Sequence, residues 1–199
     1  MTNRLLAHLA QVVLQAFPGS FKSNNHAETV GNPVRVDISS IVDPGTRLTG
    51  RTGSIRLLVL GGSQGALALN RIVPEALALL ADEMRPIVRH QTGAGRLDVA
   101  QEAYKSCGVV ATLHPFIEDI ADAYAWADVV ICRAGALTVA ELSAAGLPAI
   151  FVPFPAAVDD HQTANAQAMV TIGAATIIQE RDMTRESMAS VLERWLENR

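Results

Sequence analysis

The sequence predicts an α/β fold, a doubly wound parallel sheet covered by helices on both faces. Three observations predict it. Six short apolar runs recur between residues 55 and 179, each no longer than a strand. Helical patterns alternate with them, and repeated strand–helix–strand order builds a parallel sheet. Aliphatic residues dominate while aromatic ones make up only 5% of the chain, a composition suited to strands buried on both faces.

The chain opens with Leu5, Leu6, Leu9, Val12, Val13 and Phe17 at helical spacing, stopped by Pro18-Gly19. His8 and Gln11 interrupt the apolar stretch, so the segment reads as an amphipathic helix rather than a signal peptide. A short extended piece at Thr29 and Val30 leads into Gly31-Asn32-Pro33-Val34-Arg35. Asp43 to Ser54 is rich in Pro, Gly and Thr without an apolar period, and is expected to be a linker. The division follows: residues 1–54 are an amino-terminal segment plus linker, which the resemblance given below marks as the remnant of another domain, and 55–199 form the sheet domain.

The strands are expected at Ile55–Leu60, Ile87–Gln91, Val110–His114, Val129–Cys132, Ala149–Val152 and Ala175–Gln179. Between them fall helices at Ala66–Leu80, Leu97–Ser106, Ile117–Ala125, Leu137–Ala145 and Gln162–Ile172, with a last one at Arg185–Asn198. In such sheets ligands bind beyond the carboxyl ends of the strands, where the strand order reverses. Functional residues should therefore lie just after strands.

Composition excludes several classes. A net charge of −4 argues against a nucleic-acid grip. Cys107 and Cys132 have neither disulfide-framework nor metal spacing, which favours a reducing cytosol. No apolar run is long enough to cross a bilayer. The histidines are scattered, and no Asp-x-Asp or Cys-x-x-Cys occurs, so no metal is expected.

Two turns carry chemistry. Gly61-Gly62-Ser63-Gln64-Gly65-Ala66 directly follows Leu57-Leu58-Val59-Leu60. Its glycines permit close backbone approach, the next helix offers unpaired N–H groups, and Ser63 adds a hydroxyl donor: a cradle for phosphate. Ser63 stands where a dinucleotide fingerprint needs its second glycine, no Gly-Lys-Ser/Thr follows, and Gln91 replaces the acidic residue that would hold an NAD ribose. The same residues also read as a tight turn with Ser63 as a helix N-cap.

The second turn, Arg133-Ala134-Gly135-Ala136-Leu137-Thr138-Val139-Ala140-Glu141, follows Val129–Cys132. Two helix N-termini facing one crevice suit the two phosphates of a nucleoside diphosphate. Glu141 would repel a phosphate but accept hydrogen bonds from a ribose diol. Thr138-Val139-Ala140-Glu141 equally matches a capping box.

Other candidates are open. Asp160 suits an N-cap or, with His161, acid–base work, and Gln162 has the donors and acceptor to read sugar hydroxyls. Phe116 and Ile117, after His114-Pro115, read by residue type as core, or as a flat slot for a base.

Together, Gly31–Arg35, Gly61–Gly65, Pro115–Ile117, Cys132–Glu141 and His161–Ala166 resemble the MurG family of glycosyltransferases nearly end to end. The resemblance implies a Rossmann-like fold forming one half of a GT-B enzyme, here the carboxyl-terminal, donor-binding half, with only the tail of the amino-terminal one. It implies that Ser63 and Ala136, Leu137, Thr138, Val139, Ala140 and Glu141 hold the diphosphate and ribose of UDP-N-acetylglucosamine. Ile117 is implied in uracil recognition through its backbone, Gln162 in binding the N-acetylglucosamine hydroxyls, and Arg35 in contacting the donor from the inter-domain side.

The activity implied is inverting, metal-independent transfer of N-acetylglucosamine from UDP to lipid I, giving lipid II for the peptidoglycan. The acceptor would be met through an amino-terminal domain absent from this sequence, as is the stretch after Arg199, so the chain reads as truncated and catalytically inactive alone. No catalytic residue is expected in it. The intact enzyme is expected at the cytoplasmic face of the bacterial inner membrane, peripherally bound and without nucleic-acid partners. A rival reading is a non-catalytic nucleotide-sugar-binding subunit needing a partner chain. An NAD-linked oxidoreductase is opposed by Ser63 and Gln91.

Overall fold

The computed structural model describes residues 6–7, 9–17, 27–62, 65–155 and 161–197. Two short strands, β1 (Val13–Gln15) and β2 (Ala27–Thr29), pair in parallel with each other. A separate sheet of six strands follows: β3 (Arg56–Leu60), β4 (Ile87–Gln91), β5 (Thr112–His114), β6 (Val129–Cys132), β7 (Ala149–Phe151) and β8 (Ala175–Ile177). All its pairings are parallel, in the order β5-β4-β3-β6-β7-β8. The chain walks outward from β3 through β4 to β5, then returns to lay β6 on the other side of β3. That reversal makes β3/β6 the switch point of a Rossmann-like doubly wound sheet.

The helices are α1 (Val36–Ser39), α2 (Pro44–Arg47), α3 (Leu67–Leu79), α4 (Leu97–Ser106), α5 (Ile120–Trp126), α6 (Ala136–Ala144), α7 (His161–Thr171) and α8 (Arg185–Glu197). Strand alternation divides the core into two layers. Leu57, Val59, Val129, Ile131 and Ile150 face one side and pack with α3, α4 and α8. Leu58, Leu60, Val130, Cys132 and Phe151 face the other and pack with α1, α5, α6 and α7. Both faces of the central strands are apolar because both are covered, which is why these strands read as continuous runs rather than alternating ones.

The structure departs from the sequence expectation at the amino terminus. Residues 12–15 do not continue a helix: Val13–Gln15 form β1, with Val13 opposite Ala27. Val12 and Val13 are β-branched and fit an extended ladder better than a helical turn. The side-chain amide of Gln15 adds a bond to Thr29 Oγ1 at 3.0 Å. Among the described residues only Leu6 and Ala7 are helical there, while Leu5 and His8 lie outside them.

The stretch from Asp43 to Ser54 is not a bare linker either. Asp43 caps α2 by accepting from Thr46 N–H at 3.0 Å. Arg47 donates to the Ala145 carbonyl, and Arg51 donates to the carbonyls of Ala125 and Trp126 and pairs with Asp128. Ahead of it, α1 buries Ile38 completely in the layer that holds Leu58 and Phe151. The remaining shifts are smaller: β5 begins at Thr112 instead of Val110, β8 ends at Ile177 instead of Gln179, and α5 starts at Ile120 instead of Ile117, because Asp119 caps it by accepting from Asp122 N–H at 2.8 Å.

Candidate functional site

The first glycine-rich turn leaves β3 at the switch point. Gly61 N–H donates to the Gln91 carbonyl at 2.9 Å, holding the turn against the end of β4. Gly62 and Gly65 have φ of +76° and +74°, conformations that an L side chain strains to adopt. At Gly65 a Cβ would also lie 2.3 Å from the Thr92 carbonyl oxygen. Ser63 lies outside the described residues. The N-cap of α3 is Ala66, which displaces the reading of Ser63 as the cap, and no side chain caps that end.

The second turn leaves β6 beside it. Its helix, α6, begins at Ala136 with Gly135 as N-cap, again without a side-chain cap bond. The first intrahelical bond runs from Val139 N–H to the Gly135 carbonyl, so the N–H groups of Ala136, Leu137 and Thr138 have no helical acceptor. Two asparagines pin this turn from outside: Asn165 donates to the Ala134 carbonyl at 3.2 Å and Asn32 to the Ala136 carbonyl at 2.9 Å. The capping box expected as one reading of Thr138–Glu141 does not form. Thr138 is already the third helical residue, and Glu141 sits a further turn along.

Glu141 is instead a wall of a cleft of about 270 Å³. Gly62, Gln91, Phe116, Ile117, Thr138 and Arg35 also line it. Tyr124, buried on α5, donates from its phenol to Glu141 Oε2 at 3.1 Å. Burial, and then the Glu141 charge, push that phenol well above its ordinary range, so it remains a donor. On the open side, Arg35 Nε stands 3.7 Å from Glu141 Oε1. Glu141 thus offers a carboxylate that is oriented from behind and only partly neutralised in front. Phe116, expected among core residues by type, is 56% exposed at the cleft.

Beyond β7, Arg133 gathers the next loop. It donates to the Val152 and Pro153 carbonyls, pairs with Glu180, and lies over the Phe154 ring. Among the described residues, no group of three His, Cys, Asp or Glu side chains is placed to hold a metal ion. Cys132, at the end of β6, is fully buried, and desolvation pushes its thiol upward, so it stays neutral.

The glycine-rich turn after β3, through Gly62, and the first turn of α6, through Thr138, therefore line one cleft at the switch point, with the Glu141 carboxylate in its wall. The model of the glycosyltransferase family 28 C-terminal domain matches residues 56–199. The chain belongs to glycosyltransferase family 28.

Within that family, the chain is 54% identical over 192 residues to a UDP-N-acetylglucosamine–N-acetylmuramyl-(pentapeptide) pyrophosphoryl-undecaprenol N-acetylglucosamine transferase of Marinobacter nauticus. The match takes in 96% of this chain and 53% of that protein. The same enzyme of Nitrosococcus oceani is also 54% identical, over 96% of this chain and 54% of its own length. The crystal structure of Acinetobacter baumannii MurG superposes with a TM-score of 0.86 at 40% identity, over 98% of this chain and 55% of that one. The chain spans about half the length of the relatives it matches.

Of the candidate residues, Ile117, Thr138 and Glu141 of the family 28 domain come together at the cleft with Arg35, which precedes that domain. Ala136 and Leu137 lie in the first turn of α6, and Ala140 further along it. Val139 is fully buried, so any part it has is through its backbone. Gln162 is in the first turn of α7, where its Oε1 accepts from Phe154 N–H at 2.9 Å, engaging its acceptor within the loop. Asp160 lies outside the described residues, and His161 is exposed. Sequence reasoning missed Tyr124, Asn165 and Asn32 as supports, and used Gln91 only to argue against NAD. Each acts through a contact with a residue distant in the chain, and no local pattern announces it.

Proposed function

We propose that this chain is the donor-binding domain of an inverting N-acetylglucosaminyltransferase that moves N-acetylglucosamine from UDP-N-acetylglucosamine to the 4-hydroxyl of the muramoyl unit of lipid I. The observation that carries the reading is the cleft in which Gly62 of the glycine-rich turn and Thr138 in the uncapped first turn of α6 stand beside Glu141. The identity to named transferases supports the choice of substrate.

In this reading the diphosphate lies across the first turn of α6 and the glycine-rich turn, where backbone N–H groups and helix dipoles meet its charge. Ser63 and Thr138 add hydroxyl donors. Glu141 accepts from the ribose diol, Ile117 meets the uracil through its backbone, Gln162 turns its amide donors to the sugar, and Arg35 closes the outer side. The acceptor hydroxyl attacks the anomeric carbon as its bond to the UDP oxygen breaks, and negative charge develops on the departing diphosphate. Preorganised N–H groups stabilise that charge without a cation. The proton of the acceptor hydroxyl passes to a general base on the acceptor side of the cleft. The product, lipid II, feeds peptidoglycan synthesis. A lipid-linked acceptor places the whole enzyme peripherally at the cytoplasmic face of the inner membrane.

Calorimetry with UDP, UDP-N-acetylglucosamine and NAD tests the reading. Binding of the two uridine ligands without NAD is expected. A preference for NAD, or no uridine binding, overturns it.

A further inference from the structure

The chain passes from the two-stranded sheet to the large one through Gly31-Asn32-Pro33-Val34-Arg35. Val30 N–H still belongs to the small sheet, donating to the Gln15 carbonyl at 3.0 Å. Gly31 then turns the backbone with a φ of +78°, a conformation glycine adopts at little cost. Asn32, next along, already belongs to the cleft: its side-chain amide donates to the Ala136 carbonyl at 2.9 Å. That carbonyl and the Leu137 N–H are the two ends of one planar peptide unit, and in a trans unit they point opposite ways. Leu137 N–H is one of the first-turn donors of α6 that have no helical acceptor. Asn32 thus holds, from behind, the peptide whose N–H faces out of the helix end. Only Gly31 separates this grip from the small sheet.

We propose that Asn32 is a positioning residue that couples a diphosphate at the first turn of α6 to the two-stranded amino-terminal sheet. Hydrogen bonds in series polarise one another. An anion drawing on Leu137 N–H makes the Ala136 carbonyl a stronger acceptor for Asn32, and Asn32 in turn makes that N–H a stronger donor to the anion. The two effects are one coupling free energy read from its two ends. A bound diphosphate therefore tightens the attachment of the segment that leads to Val30 and the small sheet. Removing the Asn32 amide weakens the hold on the diphosphate. A neutral nucleoside brings no anion to Leu137 N–H and does neither. The inference rests on the proposed UDP-sugar reading and adds to it a link between donor occupancy and the amino-terminal segment.

Titration of the 199-residue chain with UDP and with uridine, for wild type and Asn32→Ala, tests it. The UDP-over-uridine affinity ratio is expected to fall roughly two- to tenfold in the variant, the range one neutral hydrogen bond commands. An unchanged ratio, including equal loss for both ligands, overturns the proposal, since general damage to the fold moves both alike. Amide hydrogen exchange of the wild type gives the reciprocal readout. Exchange at Val30 is expected to slow with UDP and not with uridine. A rate that UDP leaves unchanged, or that uridine slows equally, overturns the proposal, and this arm stands even if Asn32→Ala fails to fold. A wild type that binds neither ligand removes the UDP-sugar reading itself, and this inference with it.

Discussion

Tyr124 and Glu141 are joined across two helices, the buried phenol on α5 donating to the carboxylate on α6 at 3.1 Å. The carboxylate is therefore aimed from inside the fold rather than by its own helix. Tyr124→Phe keeps the ring and removes only the donor. UDP affinity is expected to fall by about 0.5–1.5 kcal/mol, the net worth of one such bond. Calorimetry reads this directly, and unchanged affinity would show that Glu141 needs no such support.

Glu141→Ala is expected to cost about 1–3 kcal/mol of UDP binding, the range for hydrogen bonds to a charged group. Since Glu141 does not cap α6, the loss of helix stability should be modest. Adding Tyr124→Phe to it should cost little further affinity, because the two act as one unit. Full additivity in the double-mutant cycle would separate their roles.

UDP binding is expected to be indifferent to divalent cations. In the proposed binding mode, helix N-termini and hydroxyls would take the place of a metal beside the diphosphate. Titrations with and without chelator should superimpose. A steep gain on adding magnesium or manganese would refute this.

His90 provides a pH signature. It is fully buried on β4, with Nδ1 3.0 Å from Tyr104 Oη, and burial holds its imidazole down at about 3 against an ordinary 6.5. Above 6.5 it is neutral in both folded and unfolded chains and adds no pH dependence. Between 6.5 and about 3 only the unfolded chain takes the proton, so stability declines on acidification, with a slope approaching about 1.4 kcal/mol per pH unit. Denaturant melts at several pH values should show this decline, and His90→Gln should flatten it.

The two left-handed glycines of the first turn should respond differently to alanine. At Gly62 a Cβ meets nothing within 4 Å, so only backbone strain remains and stability should fall by about 1–2 kcal/mol. At Gly65 the Cβ would collide with the Thr92 carbonyl oxygen at 2.3 Å, so the loss should be clearly larger, beyond about 3 kcal/mol. Equal melting temperatures for the two variants would contradict the packing described.

Legibility in the sequence followed the range of the interactions. Ile87–Gln91, Val129–Cys132 and Leu97–Ser106 form where local periodicity places them, because a strand buried on both faces or an amphipathic helix is written in consecutive residues. The glycine turns were visible for the same reason. The amino-terminal apolar residues misled, since spacing suits a helix there while the ladder between Val13–Gln15 and Ala27–Thr29 depends on a partner strand. Asp119 carried a readable cap signal for α5 that spacing alone overlooks. The bonds of Tyr124 to Glu141, Asn165 to Ala134 and Gln91 to Ile117 join residues brought near only by the winding of the sheet.

Arg35 immediately precedes α1, and α1 is anchored by Ile38 sunk beneath α5 and α6. Arg47 and Arg51 fasten the following stretch to the carbonyls of Ala125, Trp126 and Ala145. Arg35 is thus mounted on the same rigid body as Glu141, with no swivel between them. In any opening and closing of the cleft it would ride with the nucleotide side as a fixed jamb, and its distance to Glu141 would serve as an internal ruler that such motion leaves unchanged.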